Sequence, residues 1–274
     1  MGSEPDRIRI LRDDENCPEL PIVERGGRAW AVVWPGVGAY LRSMHRISLL
    51  PGGRTVVMEH PTEAVYYVMS GTGAVAGPDG DRRALSTGAM AHVSPGTAYL
   101  LESGENGAEI VGGPCPADPS LYAHLGTFDT VELESRPDRQ PPGGIHLFHR
   151  DLPTAIVPMI ARDARLVVWP GVAAYTANMN YVDMQPGERN IEHVHVESED
   201  TIYILDGKGS IDDITNGMRL EFEAGAAIHV PVGVWHAVSG DRNDHIESVG
   251  GPCPADWNML RVAGLVPDDT TEEQ

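Results

Sequence analysis

The sequence lacks the usual marks of a membrane or secreted protein. No run of about 18 apolar residues occurs in the 274-residue chain, so we expect no membrane-spanning helix. The first residues, MGSEPDRIRI, lack the apolar core of a signal peptide. The three cysteines, Cys17, Cys115 and Cys253, are too few for a disulfide framework. We therefore expect a protein of the reducing cytoplasm.

Basic side chains are also scarce. The chain has 20 Lys and Arg against 40 Asp and Glu, a formal net charge of −20. Nucleic acids and anionic membranes are bound by clustered Lys and Arg, so we expect neither as a partner. The acidic balance says little about the expected small-molecule substrate, because a local pocket can be basic inside an acidic protein.

Glycine, proline and short β-rich segments make up much of what is present. The 31 glycines and 22 prolines separate short runs rich in Val, Ile, Thr and Tyr, a pattern typical of strands joined by turns. Helical periodicity is missing except for a short stretch near Asp256 to Val262. The composition therefore predicts an all-β fold.

The chain contains an internal repeat. VVWPGVGAY at Val32 to Tyr40 returns as VVWPGVAAY at Val167 to Tyr175, and VGGPCPAD at Val111 to Asp118 returns intact at Val249 to Asp256. A repeat of this length indicates duplication of a whole domain. We predict two tandem double-stranded β-helix (jelly-roll) barrels.

The predicted boundaries follow from the repeat and from the polar stretches around it. They are an N-terminal arm at 1–26, an N-terminal barrel at 27–128, a charged and Pro/Gly-rich linker at 129–150, a C-terminal barrel at 151–262 and an acidic tail at 263–274.

Two histidine motifs stand in the second copy. His193 and His195 are separated by one residue, and on a strand residues i and i+2 point to the same face, as two ligands of one metal must. Further along the chain, Pro231 and Gly233 mark a turn, and His236 begins the strand after it.

Together these stretches resemble the two signature motifs of the cupin superfamily. Gly187, His193, His195 and Gly207 match the first, and Gly225, Pro231, Gly233 and His236 match every position of the second. The resemblance implies a metal bound by three histidines and one carboxylate. The duplicated architecture of this chain is similar to that of quercetin dioxygenase, oxalate decarboxylase and ureidoglycine aminohydrolase, which are bicupins (tandem cupin proteins).

The carboxylate ligand has two candidates. Glu199 follows His195 by the family's interval of three residues, but seven residues separate it from Gly207. Asp200 has the family's gap of six, and its side chain is one methylene shorter. We favour Glu199 with Asp200 as the alternative, and only one of them should bind because neighbouring strand residues face opposite ways.

Aligning the two copies predicts one metal site. His60 and Glu63 match His195 and Glu199, which supports Glu199, but Met58 and Tyr99 stand where the second copy has His193 and His236. The N-terminal barrel should therefore have a degenerate site, and the C-terminal barrel should hold one divalent transition metal per chain. His92 and His229 survive in both copies and are interpreted as structural.

Imidazole suits Mn, Fe, Ni, Zn and Cu, and a carboxylate adds preference for Mn or Fe. We favour a dioxygenase acting on a small enolic or phenolic molecule. The alternatives are a non-redox Mn-dependent hydrolase, lyase or decarboxylase, and a non-enzymatic binding or storage protein. The candidates for substrate contact are Asn180, Tyr203 and Trp235, with Asn178 nearby. Barrels of this kind often pair through edge strands, so we also expect a homodimer.

Overall fold

The structure is a computed structural model that describes residues 6–12, 16–78, 80–131, 133, 143–172 and 174–266. Strands make up 53% of it and helix 5%, which confirms the predicted all-β class. The one short helix expected near Asp256 to Val262 is present as α1 (Trp257–Val262). No helix among the described residues is long and apolar enough to cross a membrane.

The described residues form two antiparallel sheets, and each curls into one barrel. The first sheet has the order β2-β3-β7-β4-β6-β8, with β5 beside β4. Its strands are β2 (Val23–Val33), β3 (Met44–Thr55), β4 (Glu63–Ala76), β5 (Arg82–Ser86), β6 (Ala89–Val93), β7 (Leu100–Cys115) and β8 (Ile145–His149). Short 3-10 helices lie at Pro35–Val37 and Pro119–Tyr122.

The second sheet has the order β1-β14-β12-β16-β11-β10-β9, with β13 and β15 beside β12. Its strands are β1 (Arg9–Arg12), β9 (Ala155–Ile156), β10 (Asp163–Val168), β11 (Met179–Met184), β12 (Glu199–Asp213), β13 (Met218–Glu223), β14 (Ala226–Val230), β15 (His236–Gly240) and β16 (Ile246–Cys253).

The two barrels exchange one strand each. β1 precedes the first barrel in the chain, yet it pairs with β14 of the second, from Arg9 opposite His229 to Arg12 opposite Ala226. β8 precedes the second barrel, yet it pairs with β6 of the first. Each exchanged strand covers a sheet edge that would otherwise present unpaired backbone groups.

These pairings correct two predicted boundaries. Residues 145–149, predicted as linker, form β8 of the first sheet. The N-terminal arm contacts both barrels, because Ile8 packs in the second core and Ile22 packs in the first. Most of the remaining linker, 132 and 134–142, lies outside the described residues. Residues 263–266 of the predicted tail pack beside the second core, and 267–274 are not described.

Three clusters of buried side chains hold the fold together. One fills each barrel, and the third lies between the barrels and draws residues from both, among them Val65, Tyr67, Val167 and Tyr203. Cys115 and Cys253, from the repeated Gly-Gly-Pro-Cys loop, are fully buried in this middle cluster as free thiols. The loop therefore has a packing role in both copies.

Candidate metal centre

His193 and His236 face each other across a short backbone bridge. The amide of His193 donates to the carbonyl of His236 at 3.1 Å, and the amide of His236 donates back at 2.9 Å. The predicted strand for His-x-His is therefore reduced to one bridging residue, whereas His236 does begin β15 as expected. The carbonyl of His195 accepts from the amide of Gly233 at 2.8 Å, so the Pro-x-Gly turn also positions the third histidine.

The three imidazoles converge on one point. Their candidate ligand atoms all lie within 4.8 Å of one another. In each ring Nδ1 already has a hydrogen-bond partner. His193 Nδ1 lies 2.9 Å from the carbonyl of Ile191, and His236 Nδ1 lies 2.9 Å from the carbonyl of Val234. His195 Nδ1 lies 2.7 Å from Asp256 Oδ2. Nδ1 engaged in this way leaves Nε2 to point at the common centre.

The carboxylate beside this centre belongs to Asp200. Its Oδ2 lies 3.8 Å from His195 Nε2 and 3.9 Å from His236 Nε2, and its Oδ1 is buried without a hydrogen-bond partner. Asp200 stands on the face of β12 that points into the barrel.

Glu199 points the other way, which corrects the preference for it as a ligand. Its carboxylate accepts hydrogen bonds from the backbone amides of Tyr40 and Leu41 in the first barrel, at 3.0–3.1 Å, and lies 3.5 Å from His229 Nε2. The spacing to the histidines admits both residues, but strand alternation sends only one of them inward. The register of β12 selects Asp200.

Burial and the nearby carboxylates set the charge of the centre. Burial lowers the pKa of His193 and lowers that of His236 to about 3. Burial also opposes the charged form of His195, but the nearby carboxylate of Asp200 and the hydrogen bond to Asp256 outweigh it and raise the His195 pKa to about 9. The pKa of Asp200 is lowered to about 2, because contact with His195 outweighs burial. One proton is therefore held on His195 between two carboxylates.

These residues fit a divalent transition metal. His195 Nε2, His236 Nε2 and Asp200 Oδ1 are buried without hydrogen-bond partners, an arrangement that is unfavourable unless something binds there. Once the His195 proton is displaced, three neutral nitrogens and one carboxylate oxygen suit Mn, Fe or Ni, and also Zn or Cu.

The centre opens on a cavity of about 110 Å³. A single water needs roughly 10–15 Å³, so the space admits a molecule of about ten non-hydrogen atoms or fewer. Its walls are largely apolar: Leu166, Val182, Met184, Ile202, Ile204, Val238 and Ile246. Its polar lining comprises His193, His195, Asp200, Asn178, Asn180, Asn190, Ser248 and Asp256. The described lining contains no lysine or arginine.

A comparison with protein families agrees with this architecture. The sequence profile described as Cupin domain matches residues 45–108 and residues 180–247, one match in each barrel. The protein is a tandem cupin.

Solved structures of other bicupins have the same fold. An oxalate decarboxylase mutant from Bacillus subtilis is 13% identical, with a TM-score of 0.65 and coverage of 93% of this chain and 79% of that one. The formate complex of the Lactobacillus farciminis oxalate decarboxylase is 15% identical, with a TM-score of 0.66 and coverage of 93% and 88%. At these identities the likeness shows the fold alone. A comparison with curated protein sequences found no match.

The first cupin barrel keeps one of the four centre residues. Strand register places Ala64 opposite Pro114 where Asp200 stands opposite Pro252, so Ala64 is the counterpart of Asp200. Met58 and Tyr99 occupy the positions of His193 and His236 and form the same backbone bridge. Only His60 remains, so this barrel has lost three positions of the centre, where the sequence comparison predicted two.

Glu63 shows why the comparison of copies favoured the wrong carboxylate. It accepts hydrogen bonds from the backbone amides of Tyr175, Thr176 and Ala177 in the second barrel, as Glu199 does from the first. Both glutamates are retained because they join the barrels. His92 Nε2 lies 3.1 Å from Glu63 Oε1, which agrees with a structural role for this histidine.

The three candidates for substrate contact separate in the structure. Asn180 lines the cavity, as does Asn178. Tyr203 instead lies between the barrels, where its hydroxyl accepts from Arg46 Nη1 at 3.1 Å. Trp235 is 49% exposed and is not part of the cavity wall. The last two are therefore corrected: Tyr203 is an odd number of residues from Asp200 on β12 and so lies on the opposite face, and Trp235 precedes the first residue of β15.

Asp256 is the residue of the candidate centre that sequence reasoning missed. It belongs to the repeated PAD segment, and its counterpart Asp118 holds His60 Nδ1 at 2.8 Å in the first barrel. The available signal was the joint retention of one histidine and one distant aspartate in both copies. The contact between the histidine and the aspartate follows only from the tertiary structure.

Proposed function

We propose that this tandem cupin is a metal-dependent enzyme that acts on a small organic molecule in the C-terminal barrel. His193, His195, His236 and Asp200 would hold one divalent transition metal, which supplies a Lewis-acidic and, for Fe or Ni, redox-capable centre. The observation that carries the proposal is the set of buried, unpartnered Nε2 and carboxylate atoms that converge at a largely apolar cavity.

The chain's own residues prepare the site in two ways. The Nδ1 contacts of the three histidines fix the direction of each ring, so the donor atoms are arranged before a metal arrives. The apolar walls hold an uncharged substrate and limit water around the reacting atoms.

The reaction we favour is oxidative cleavage of a small enolic or phenolic molecule by dioxygen. Such a molecule is largely apolar and uncharged outside its reacting group, which matches the lining of the cavity. Four protein ligands on a six-coordinate ion leave two positions, enough for a substrate and a second small molecule.

A non-redox decarboxylase, lyase or hydrolase is the second candidate, favoured by the oxalate decarboxylases of the same fold. Their substrate is a dicarboxylate. One carboxylate of such an anion would reach the metal, but the second would find no lysine or arginine among the described residues of the wall. A neutral substrate therefore fits this second chemistry better than oxalate does.

Elemental analysis of protein purified without chelator or a histidine tag tests the proposal. We expect about one Mn, Fe or Ni per chain, lost in His193→Ala and His236→Ala and retained in the matched variant His60→Ala. Iron or nickel would be followed by oxygen-consumption screens, and Mn by hydrolase and decarboxylase assays. Protein that contains no metal and takes up none on reconstitution would be a binding protein instead.

Two further expectations from the sequence remain proposals. The homodimer would be tested by the mass of the protein in solution, and a monomer mass would reject it. The cytoplasmic location would be tested by cell fractionation.

A further inference from the structure

The cavity has a second polar group besides its candidate metal centre, the side chains of Asn178 and Asn180. We propose that Asn178 and Asn180 bind the hydrogen-bond-donating end, a hydroxyl or amide N–H, of an uncharged substrate. This inference rests on the proposed function, since it names the class of molecule that the same cavity would accept.

The two amide oxygens have no partner in the protein. Asn178 Oδ1 and Asn180 Oδ1 are both buried and unbonded, and both side chains line the cavity. A buried acceptor without a donor is unfavourable, so the pair calls for a donor from water or from a ligand.

The backbone makes room for this pair at Gly251. A Cβ atom there would lie 2.8 Å from Asn180 Nδ2 and 3.3 Å from Asn178 Oδ1, and the residue has a φ of +139°. Any larger residue would displace the amides from the cavity wall.

The first barrel is an internal control for this feature. Its counterpart of Gly251 is Gly113, where a Cβ would meet Ser43 Oγ at 2.6 Å and the His45 ring at 3.2 Å. Ser43 Oγ donates to the carbonyl of Pro114 at 2.7 Å, and His45 Nε2 pairs with Tyr122 OH at 2.6 Å. Ser43 Oγ and His45 Nε2 are thus bonded within the protein, and His45 Nδ1 is the buried atom of this pair without a partner, whereas at the same two positions of the second barrel the amide oxygens of both asparagines have no partner.

Comparison of the two barrels also explains why the second barrel contains a cavity. Tyr66, Tyr99 and Tyr122 are almost fully buried in the first barrel. Their counterparts in the second barrel are Ile202, His236 and Leu260, which are smaller. The volume filled by tyrosine rings in one copy is open in the other, beside the two unbonded amides.

Charge then narrows the class of ligand. The two amide oxygens accept hydrogen bonds, and the carboxylates of Asp200 and Asp256 line the same cavity. An anionic group placed against the two amide oxygens would meet only hydrogen-bond acceptors, whereas hydroxyl or amide N–H groups supply the missing donors. The substrate is therefore an uncharged donor-bearing molecule of about ten non-hydrogen atoms or fewer.

Calorimetric titration of the full chain after metal removal tests the assignment, with three probes. Catechol offers two adjacent hydroxyl donors, 1,2-difluorobenzene has a similar shape without donors, and oxalate is the anionic comparison. We expect catechol to bind more tightly than either. Tighter binding of oxalate, or equal binding of catechol and difluorobenzene, would overturn the proposal.

Variants then locate the contact. Asn180→Leu should weaken catechol binding about tenfold, because a lost hydrogen bond leaves the ligand donor unpaired. Asn180→Asp keeps an accepting oxygen and should retain catechol binding. Ser43→Ala, at the position of the first barrel equivalent to Asn178, is the matched control and should leave catechol binding unchanged. If Asn180→Leu does not fold, Asn178→Ser is the second variant, since serine occupies that position in the first barrel.

The outcomes separate the two proposals. Catechol binding that depends on the asparagines, in a protein that takes up no metal, would support this subsite and reject the metal enzyme. If the protein binds one metal per chain, and catechol binding is unchanged in Asn180→Leu and Asn178→Ser, the subsite is rejected and the metal centre is supported.

Discussion

The assignment of the carboxylate depends on two neighbouring residues that face opposite ways. Asp200→Asn should lower metal affinity at least about tenfold, because it removes the anionic ligand. Glu199→Gln should keep the metal and instead destabilise the fold by about 1–3 kcal/mol, because its carboxylate binds the amides of Tyr40 and Leu41. Equilibrium dialysis measures the first effect and denaturant unfolding the second. Metal loss confined to Glu199→Gln would return the ligand role to Glu199.

The proton on His195 predicts how metal affinity depends on pH. Because its pKa is raised to about 9 by Asp200 and Asp256, His195 is protonated at pH 7, and a metal must displace that proton to bind Nε2. Fewer competing protons at higher pH mean tighter binding. The dissociation constant should therefore fall about tenfold per pH unit between roughly pH 6.5 and 8.5 and level off above about pH 9.

Calorimetry in buffers of different ionisation enthalpy would measure this release directly. About one proton should leave per metal bound at pH 7. Asp256→Asn supplies the control, because loss of one carboxylate partner should lower the His195 pKa and reduce the release. Binding without proton release in the unaltered protein would contradict the charge assignment.

At the scale of elements, the exchanged strand β1 contributes to the stability of a barrel to which it is not adjacent in sequence. Removing residues 1–12 would uncover the edge of β14 and delete Ile8, which is 3% exposed in the second core. We expect a loss of about 2–4 kcal/mol in the free energy of unfolding. Removing residues 1–5 alone is the matched control. Equal stability of the two truncated proteins would mean that the β1 pairing contributes nothing.

Strand exchange also shows where sequence reasoning stopped. The alternation and turn signals predicted strands within each copy, and the repeat predicted that both copies would fold alike. Neither signal indicates which sheet is joined by a strand that lies outside the repeated segments. β1 and β8 carry no motif, and their partner strands are distant in the chain. The predicted linker at 129–150 therefore included a strand.

For the whole molecule, the shared core and the reciprocal glutamate contacts predict one cooperative unit. Val65 and Tyr67 of the first barrel pack with Val167 and Tyr203 of the second, while Glu63 and Glu199 each bind backbone amides of the opposite barrel. Scanning calorimetry should show a single unfolding transition that metal shifts upward as a whole. Two transitions, of which metal moves only one, would show that the barrels unfold independently.

The sequence by itself determined the all-β class, the duplication, the family and the three histidines that the structure brings together. These features are local or repeated: His193, His195 and His236 lie in motifs whose spacing is visible in the chain. Tertiary structure decided the carboxylate, the partner of His195 and the wall of the cavity. Asp200 faces the histidines because of the register of β12, Asp256 reaches His195 from 61 residues away, and Gly251 leaves room for the amides of Asn178 and Asn180 in the cavity wall. The physical reason is that spacing along one strand limits which residues share a face, whereas the face that lines a cavity is set by every strand packed around it.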